Sequence, residues 1–176
     1  MEFEKDSHKV LFSADKISRR VAELGKDITA HYNGQTVTVM ALTNGAIIFA
    51  ADLVRQIKCP IQLDTFAIAS YNDRTSSGEL NIRSMPKLDV SGKHVLVVDD
   101  ILDTGLTLHG VSSWLKKQGA ADIKICVLLD KKVSERKVEI SADWAGFEVP
   151  DVYVYGYGLD NNEFDRNLPF ITEITD

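Results

Sequence analysis

Three carboxylates and two hydroxyls fall within the short stretch from Asp99 to Thr107: Asp99, Asp100, Asp103, Thr104 and Thr107, with Gly105 among them. Carboxylates in a cluster suit sugar hydroxyls, a divalent cation or a proton in transit. A Thr-Gly-Leu-Thr turn suits the opposite charge. Where it opens a helix, free backbone N–H groups and the helix dipole favour a phosphate dianion. Gly105 permits close approach of the backbone, and the threonines add hydroxyl donors. The two halves together fit a phosphosugar. An Asp-Asp pair after a strand is more often only a solvated turn or a helix cap, so the pair alone decides little. Neither GxxxxGK[ST] nor GxGxxG occurs, which removes the P-loop and dinucleotide fingerprints.

These residues need a scaffold that delivers them to one place. Val95 to Val98 form an uninterrupted apolar run, the mark of a strand buried on both faces, and Asp99 and Asp100 stand where that strand is predicted to end. Leu108, Val111 and Leu115 then follow at helical spacing. Strand, acidic turn and helix place the cluster beyond the carboxyl end of a strand, where open α/β sheets bind ligands. The pattern recurs upstream. Ser13 is a candidate N-cap with Asp15 in the first turn, and Ile17, Val21, Leu24 and Ile28 mark one helical face. Asn33-Gly34 turns into a strand at 36–42; Asn44-Gly45 opens a second helix with Ile47, Ala51, Val54 and Ile57 as its apolar residues. Pro60 closes that region, and strands are predicted at 61–68 and 122–129. The alternation argues for an α/β fold with a doubly wound, mostly parallel sheet and flanking helices.

Two stretches depart from this rhythm. Residues 70–92 are polar and contain Ser76, Ser77 and Gly78, a loop long enough to be a functional lid. Residues 147–170 are aromatic-rich. Tyr153, Tyr155 and Tyr157 alternate as in a strand, and a single tyrosine there could serve as a stacking surface for a flat base. Gly156 and Gly158 permit a close backbone approach, and Asp160 and Arg166 follow.

Composition sets the outer limits. A chain of 176 residues with 44% apolar and 26% charged residues is one ordinary globular domain, spanning 1–176. A net charge of −6 with no basic cluster argues against nucleic acid as a partner. Cys59 and Cys126 lie in apolar stretches and read as reduced core thiols. The start MEFEKDSHKV has no apolar h-region, and no run of apolar residues is long enough to span a bilayer, so the expected location is cytoplasmic, away from membranes.

Four blocks carry a resemblance: LTNGAIIF (42–49), SYNDRTSSGE (70–79), VLVVDDILDTGLT (95–107), and LLDKK (128–132) with the 147–169 tail. From about residue 10 to 172 the chain resembles the hypoxanthine-guanine phosphoribosyltransferases of the type I phosphoribosyltransferase family. The resemblance implies that family's fold, with a small hood built from the terminal segments over the base site. It also implies Mg²⁺-dependent transfer of a phosphoribosyl group from phosphoribosyl diphosphate (PRPP) to N9 of a 6-oxopurine, releasing pyrophosphate. By the same match, Asp99 and Asp100 hold the ribose hydroxyls directly or through metal, and Asp103 is the acid or base near N7. Thr104, Gly105, Leu106 and Thr107 cradle the 5′-phosphate. Lys131, Tyr153 and Val154 bind the purine; Asn44, Gly45 and Arg166 bind pyrophosphate; Asp160 joins the acidic pair as a metal ligand. Ser70 and Tyr71 close the lid, and the assembly is a dimer or tetramer.

Two positions depart from the family pattern. Asp99 stands where glutamate is frequent, and Thr43-Asn44 where Leu-Lys is frequent, which removes a lysine from the pyrophosphate loop and leaves open whether that loop keeps the family's cis peptide. A lysine only donates, so Lys131 favours a 6-oxo over a 6-amino purine. Two other readings remain at this stage: a preference for xanthine or another 6-oxopurine, and a non-catalytic sensor of PRPP or nucleotide.

Overall fold

The computed structural model describes residues 9–68, 82–133 and 136–174. Along the chain the elements are β1 (Lys9–Phe12), α1 (Ala14–Tyr32), β2 (Val37–Thr43), α2 (Ile47–Gln56), β3 (Ile61–Ile68), β4 (Ile82–Ser84), β5 (His94–Leu102), α3 (Leu106–Lys117), β6 (Asp122–Lys132), β7 (Trp144–Pro150), β8 (Val154–Tyr155) and β9 (Ile171–Glu173). Six strands form one sheet in the order β4-β3-β2-β5-β6-β7. Its five longer strands are parallel, and β4 pairs antiparallel with β3 at the edge. The doubly wound sheet read from the alternation is the one observed.

The apolar run of β5 explains why this strand is central. Val95 and Val97 pack with Met40, Leu108, Val111 and Leu115 on one face, while Leu96 and Val98 pack with Ile17, Val21, Phe49 and Leu53 on the other. Successive side chains point to opposite faces, so α3 covers one and α1 with α2 the other. All four residues are fully buried. Truncating one of them, as in Leu96→Ala, would cost about 2–5 kcal/mol.

Helix α1 starts where Ser13 accepts a hydrogen bond from the Lys16 amide, and ends at Asn33 in the left-handed region with φ 46°. Both ends match the sequence reading. Helix α2 differs. Its buried residues are Phe49, Ala50 and Leu53, whereas Ile47 is 49% exposed and Ala51 faces solvent. The run Ile47-Ile48-Phe49-Ala50-Ala51 is apolar on every side, so periodicity could not choose the face; contact with α1 does.

A smaller sheet of order β1-β9-β8 draws on both ends of the described chain. Phe12 stacks on Phe147 of β7 with ring centroids 4.1 Å apart, fastening it to the main sheet. The predicted alternating strand through Tyr153, Tyr155 and Tyr157 does not form. β8 has only two residues; Tyr155 and Tyr157 are both buried, and Tyr157 has φ 51°. Part of the 70–92 stretch is also ordered differently from a loop, since Ile82–Ser84 make β4. Ser70, Tyr71 and the serines at 76 and 77 lie outside the described residues. Among the described residues no helix is long and apolar enough to cross a membrane, and Cys59 and Cys126 are free and buried.

Candidate active site

The carboxyl ends of β2, β5 and β6 open onto a single cleft of about 500 Å³. Asn44, Gly45, Asp99, Asp100, Asp103, Thr104, Gly105, Thr107, Lys131, Tyr153, Val154, Asp160 and Arg166 all line it. The sequence-predicted positions therefore converge. Leu106 does not line the cleft; it is the first residue of α3. Asp99 and Asp100 lie inside β5 rather than at its end, because the strand continues to Leu102.

Gly105 is the N-cap of helix α3, with φ 84° and no side chain capping the first turn. Its leading N–H groups are thus left for a ligand in the cleft that Thr104, Gly105 and Thr107 line. Glycine is required here twice over. The backbone is left-handed, and a Cβ would meet Ile140 Cγ2 at 2.6 Å and Val138 Cγ2 at 3.0 Å. The same segment supports the turn from behind, where the Lys137 amide donates to the Thr104 carbonyl at 3.2 Å.

Asp99 and Asp100 form an uneasy pair. Burial pushes Asp99 well above the usual carboxylate range, and the neighbouring Asp100 charge adds to it. Burial also raises Asp100, although a hydrogen bond with Asp99, backbone N–H donors and the Arg166 guanidinium pull the other way. The Asp99 carboxylate accepts from the Asp100 amide at 3.0 Å, and Asp100 from the Ile101 amide at 2.9 Å. Two half-buried acids that resist ionising together invite a cation. Among the described residues no three acidic, imidazole or thiol groups converge to enclose one. The donors are all hard oxygens, from Asp99, Asp100 and Asp160, which fits Mg²⁺ held through one or two carboxylates and completed by a ligand's own oxygens.

The loop after β2 packs tightly against this pair. A Cβ on Gly45 would fall 1.7 Å from Asp100 Oδ2, and a Cβ on Gly158 would fall 2.2 Å from the Gly45 carbonyl oxygen. At Gly158, where the contact is backbone and φ is 106°, only glycine fits; at Gly45 a methyl group would have to push the Asp100 side chain aside. The Thr43–Asn44 peptide is cis, so the family's geometry is present without its Leu-Lys pair.

On the other flank, Lys131 Nζ lies 3.0 Å from Asp151 Oδ1 and 3.5 Å from Asp103 Oδ2. Burial works against the ammonium, yet the Asp151 and Asp103 carboxylates outweigh it and Lys131 titrates above its ordinary range. Tyr153 is 52% exposed, with its hydroxyl donating to the Asp160 carbonyl at 3.0 Å, so the ring is held and a face stays open. Tyr157 is turned away and donates to Asp52. Arg166 donates to the Gly158 carbonyl and to Glu163, and pairs with Asp160 at 2.9 Å.

Several participants escaped the sequence reading. Arg83 adds a third cation to the cleft wall, Glu163 a further carboxylate, and Val152 and Leu159 an apolar surface beside Tyr153. Asp151 reaches the site through Lys131. Glu163 stands three residues before Arg166, a spacing that could have suggested the pair; Arg83 and Asp151 carry no local pattern.

Comparisons with known proteins agree with this geometry. The family described as phosphoribosyl transferase domain matches residues 9–162. The chain is 43% identical over 169 residues to a hypoxanthine-guanine phosphoribosyltransferase of Streptococcus pneumoniae, covering 96% of this chain and 93% of that one. It is 43% identical over 170 residues to one of Aquifex aeolicus, covering 96% and 95%. Among solved structures, a hypoxanthine-guanine phosphoribosyltransferase of Bacillus anthracis superposes with a TM-score of 0.90 at 36% identity, covering 95% of this chain and 98% of that one. With the fold, the cleft and these relatives in agreement, the chain belongs to the phosphoribosyltransferase family.

Proposed function

We propose that this protein transfers the 5-phosphoribosyl group of PRPP to N9 of hypoxanthine or guanine, releasing pyrophosphate, as a salvage enzyme for purine bases. One observation carries the reading: an uncapped helix start, an acidic pair and a lysine-carboxylate couple share a single cleft. The first binds a sugar phosphate, the second its hydroxyls, and the third a heterocycle with an oxo group.

Breaking the C1′–pyrophosphate bond builds positive charge on the sugar and negative charge on the leaving group. The turn of Thr104, Gly105, Leu106 and Thr107 anchors the 5′-phosphate and fixes the ribose. Asp99 and Asp100 orient its hydroxyls. Asn44 and Gly45 face the pyrophosphate with their backbone, and Arg166 adds charge at its edge. Asp99, Asp100 and Asp160 are the carboxylates that would hold Mg²⁺, one or two at a time with the ligand's own oxygens, and the ion would supply positive charge for the leaving group. Asp103 takes or shares the purine proton near N7, which enriches the attacking nitrogen. Tyr153 stacks on the base, Val154 meets its edge with backbone, and Lys131 donates to O6. Ser70 and Tyr71, beyond β3 in the chain and outside the described residues, would exclude water as the lid pair, in the part of 70–92 that precedes β4.

The relatives' names support the choice of base. Mixing the protein with PRPP, Mg²⁺ and hypoxanthine, guanine or xanthine tests it. Inosinate or guanylate is the expected product; no nucleotide from any of the three bases would overturn the proposal.

A further inference from the structure

Asp103, Lys131 and Asp151 stand at the carboxyl ends of three neighbouring parallel strands, β5, β6 and β7. The register sets Asp103 level with Lys131, because Leu102 pairs with Asp130. Lys131 pairs with Val149, so Asp151 lies two residues further along β7's direction and meets the lysine from beyond the strand end. The Lys131 side chain is 14% exposed, against 43% for Asp103 and 63% for Asp151. A shielded ammonium lies between two wetter carboxylates.

The distances are unequal in an informative way. Lys131 is within hydrogen-bond reach of Asp151 at 3.0 Å, while Asp103 stands off at 3.5 Å. A charge-assisted contact normally closes to about 2.7–2.9 Å when nothing opposes it. An ammonium facing Asp103 alone would collapse onto it, occupying the carboxylate and losing its aim into the cleft. Asp151 supplies the counter-pull. It follows Pro150, and the Val152 amide donates to the Pro150 carbonyl at 2.9 Å, so the turn that carries Asp151 is fixed and leads directly to Tyr153. Asp151 is not on the cleft wall and acts only through the lysine.

We propose that Asp151 is a positioning residue that holds the Lys131 ammonium off Asp103 and points it at the purine, setting the choice of a 6-oxo over a 6-amino base. This rests on the purine-transferring function proposed above. The Asp151 end of the pair is open to solvent, which limits what it contributes to folding, so a purely structural pair and a positioning pair differ in what they change.

The test is the Asp151→Asn variant beside Asp151→Glu, with rates measured against hypoxanthine, adenine and PRPP. Asparagine keeps an oxygen that can accept from Lys131 but loses the charge that strengthens the contact, which corresponds to roughly a tenfold effect. The expected results for Asp151→Asn are a tenfold rise in KM for hypoxanthine, an unchanged KM for PRPP, a narrower gap between hypoxanthine and adenine, and an unchanged Tm; Asp151→Glu should restore the wild-type KM. An unchanged hypoxanthine KM would overturn the role of Asp151, as would an equal rise for both substrates or an accompanying fall in Tm. A wild-type protein that makes no nucleotide from any 6-oxopurine would instead remove the function itself, and this role with it.

Discussion

Replacing Gly45 by alanine should separate catalysis from folding. The backbone of Gly45 is not in the left-handed region, so alanine meets no conformational penalty there. Its methyl group would, however, fall 1.7 Å from Asp100 Oδ2 and 2.6 Å from Cγ. Restoring an ordinary separation of about 3.5 Å moves that oxygen by about 1.8 Å. The side chain can give way, because it is short, half-buried and already pushed toward neutrality by burial. Stability should therefore change by less than about 1 kcal/mol, or about 3 °C in Tm for a chain of this size. Activity should not survive so well, since misplacing a group that orients substrate by about 1 Å costs roughly 100-fold, or about 2.7 kcal/mol at the barrier. Initial rates with varied PRPP at saturating hypoxanthine, alongside thermal melts, give both numbers. A Gly45→Ala protein with wild-type kcat/KM for PRPP would refute the idea that this contact sets the Asp100 carboxylate. A Tm loss above 10 °C would refute the claim that the side chain alone yields.

Other perturbations have distinct signatures. Gly158→Ala should fail in both respects: its φ of 106° is hostile to a side chain, and its Cβ meets backbone at 2.2 Å, so a Tm drop together with lost turnover is expected, at a cost of about 2–4 kcal/mol. Asp103→Ala should lose about 10²- to 10⁴-fold in turnover while guanylate still binds by calorimetry; retained turnover would remove Asp103 from proton transfer. Asp99→Asn should raise the Tm of the ligand-free protein at neutral pH. Asp99 titrates above its unfolded value, so the folded chain holds that proton more tightly, and stability is fullest at low pH and falls as pH rises through the folded pKa. The advantage of the amide should accordingly vanish as pH drops below about 4, where the unfolded carboxyl is also protonated; melts in EDTA from pH 4 to 8 would show it, and a pH-independent difference would contradict the cause given.

The legible parts of this molecule were those whose physics is local. Val95 to Val98 announce a central strand because apolar residues on both faces have few other uses, and Ser13 and Asn33 mark helix ends by chemistry confined to one turn. The 95–107 motif located the cleft for the same reason. What stayed hidden depends on distant partners. The buried face of α2 was ambiguous until α1 packed on it. The tyrosine alternation at 153–157 was undone by the positive φ at Tyr157 and Gly156, needed to bring the chain back along β9. Asp151 looks like any charged residue after a strand; only the neighbouring parallel strand gives it a partner.

Gly158 and Gly45 meet main chain to main chain, with no side chain between them to act as a cushion. A join of that kind is stiff: the ribbon bearing Asp160 and Arg166 cannot drift without dragging the turn at Asn44 along. Attempts to re-tailor this enzyme for other bases should leave that seam alone and begin at Tyr153, whose ring has room on its outer side.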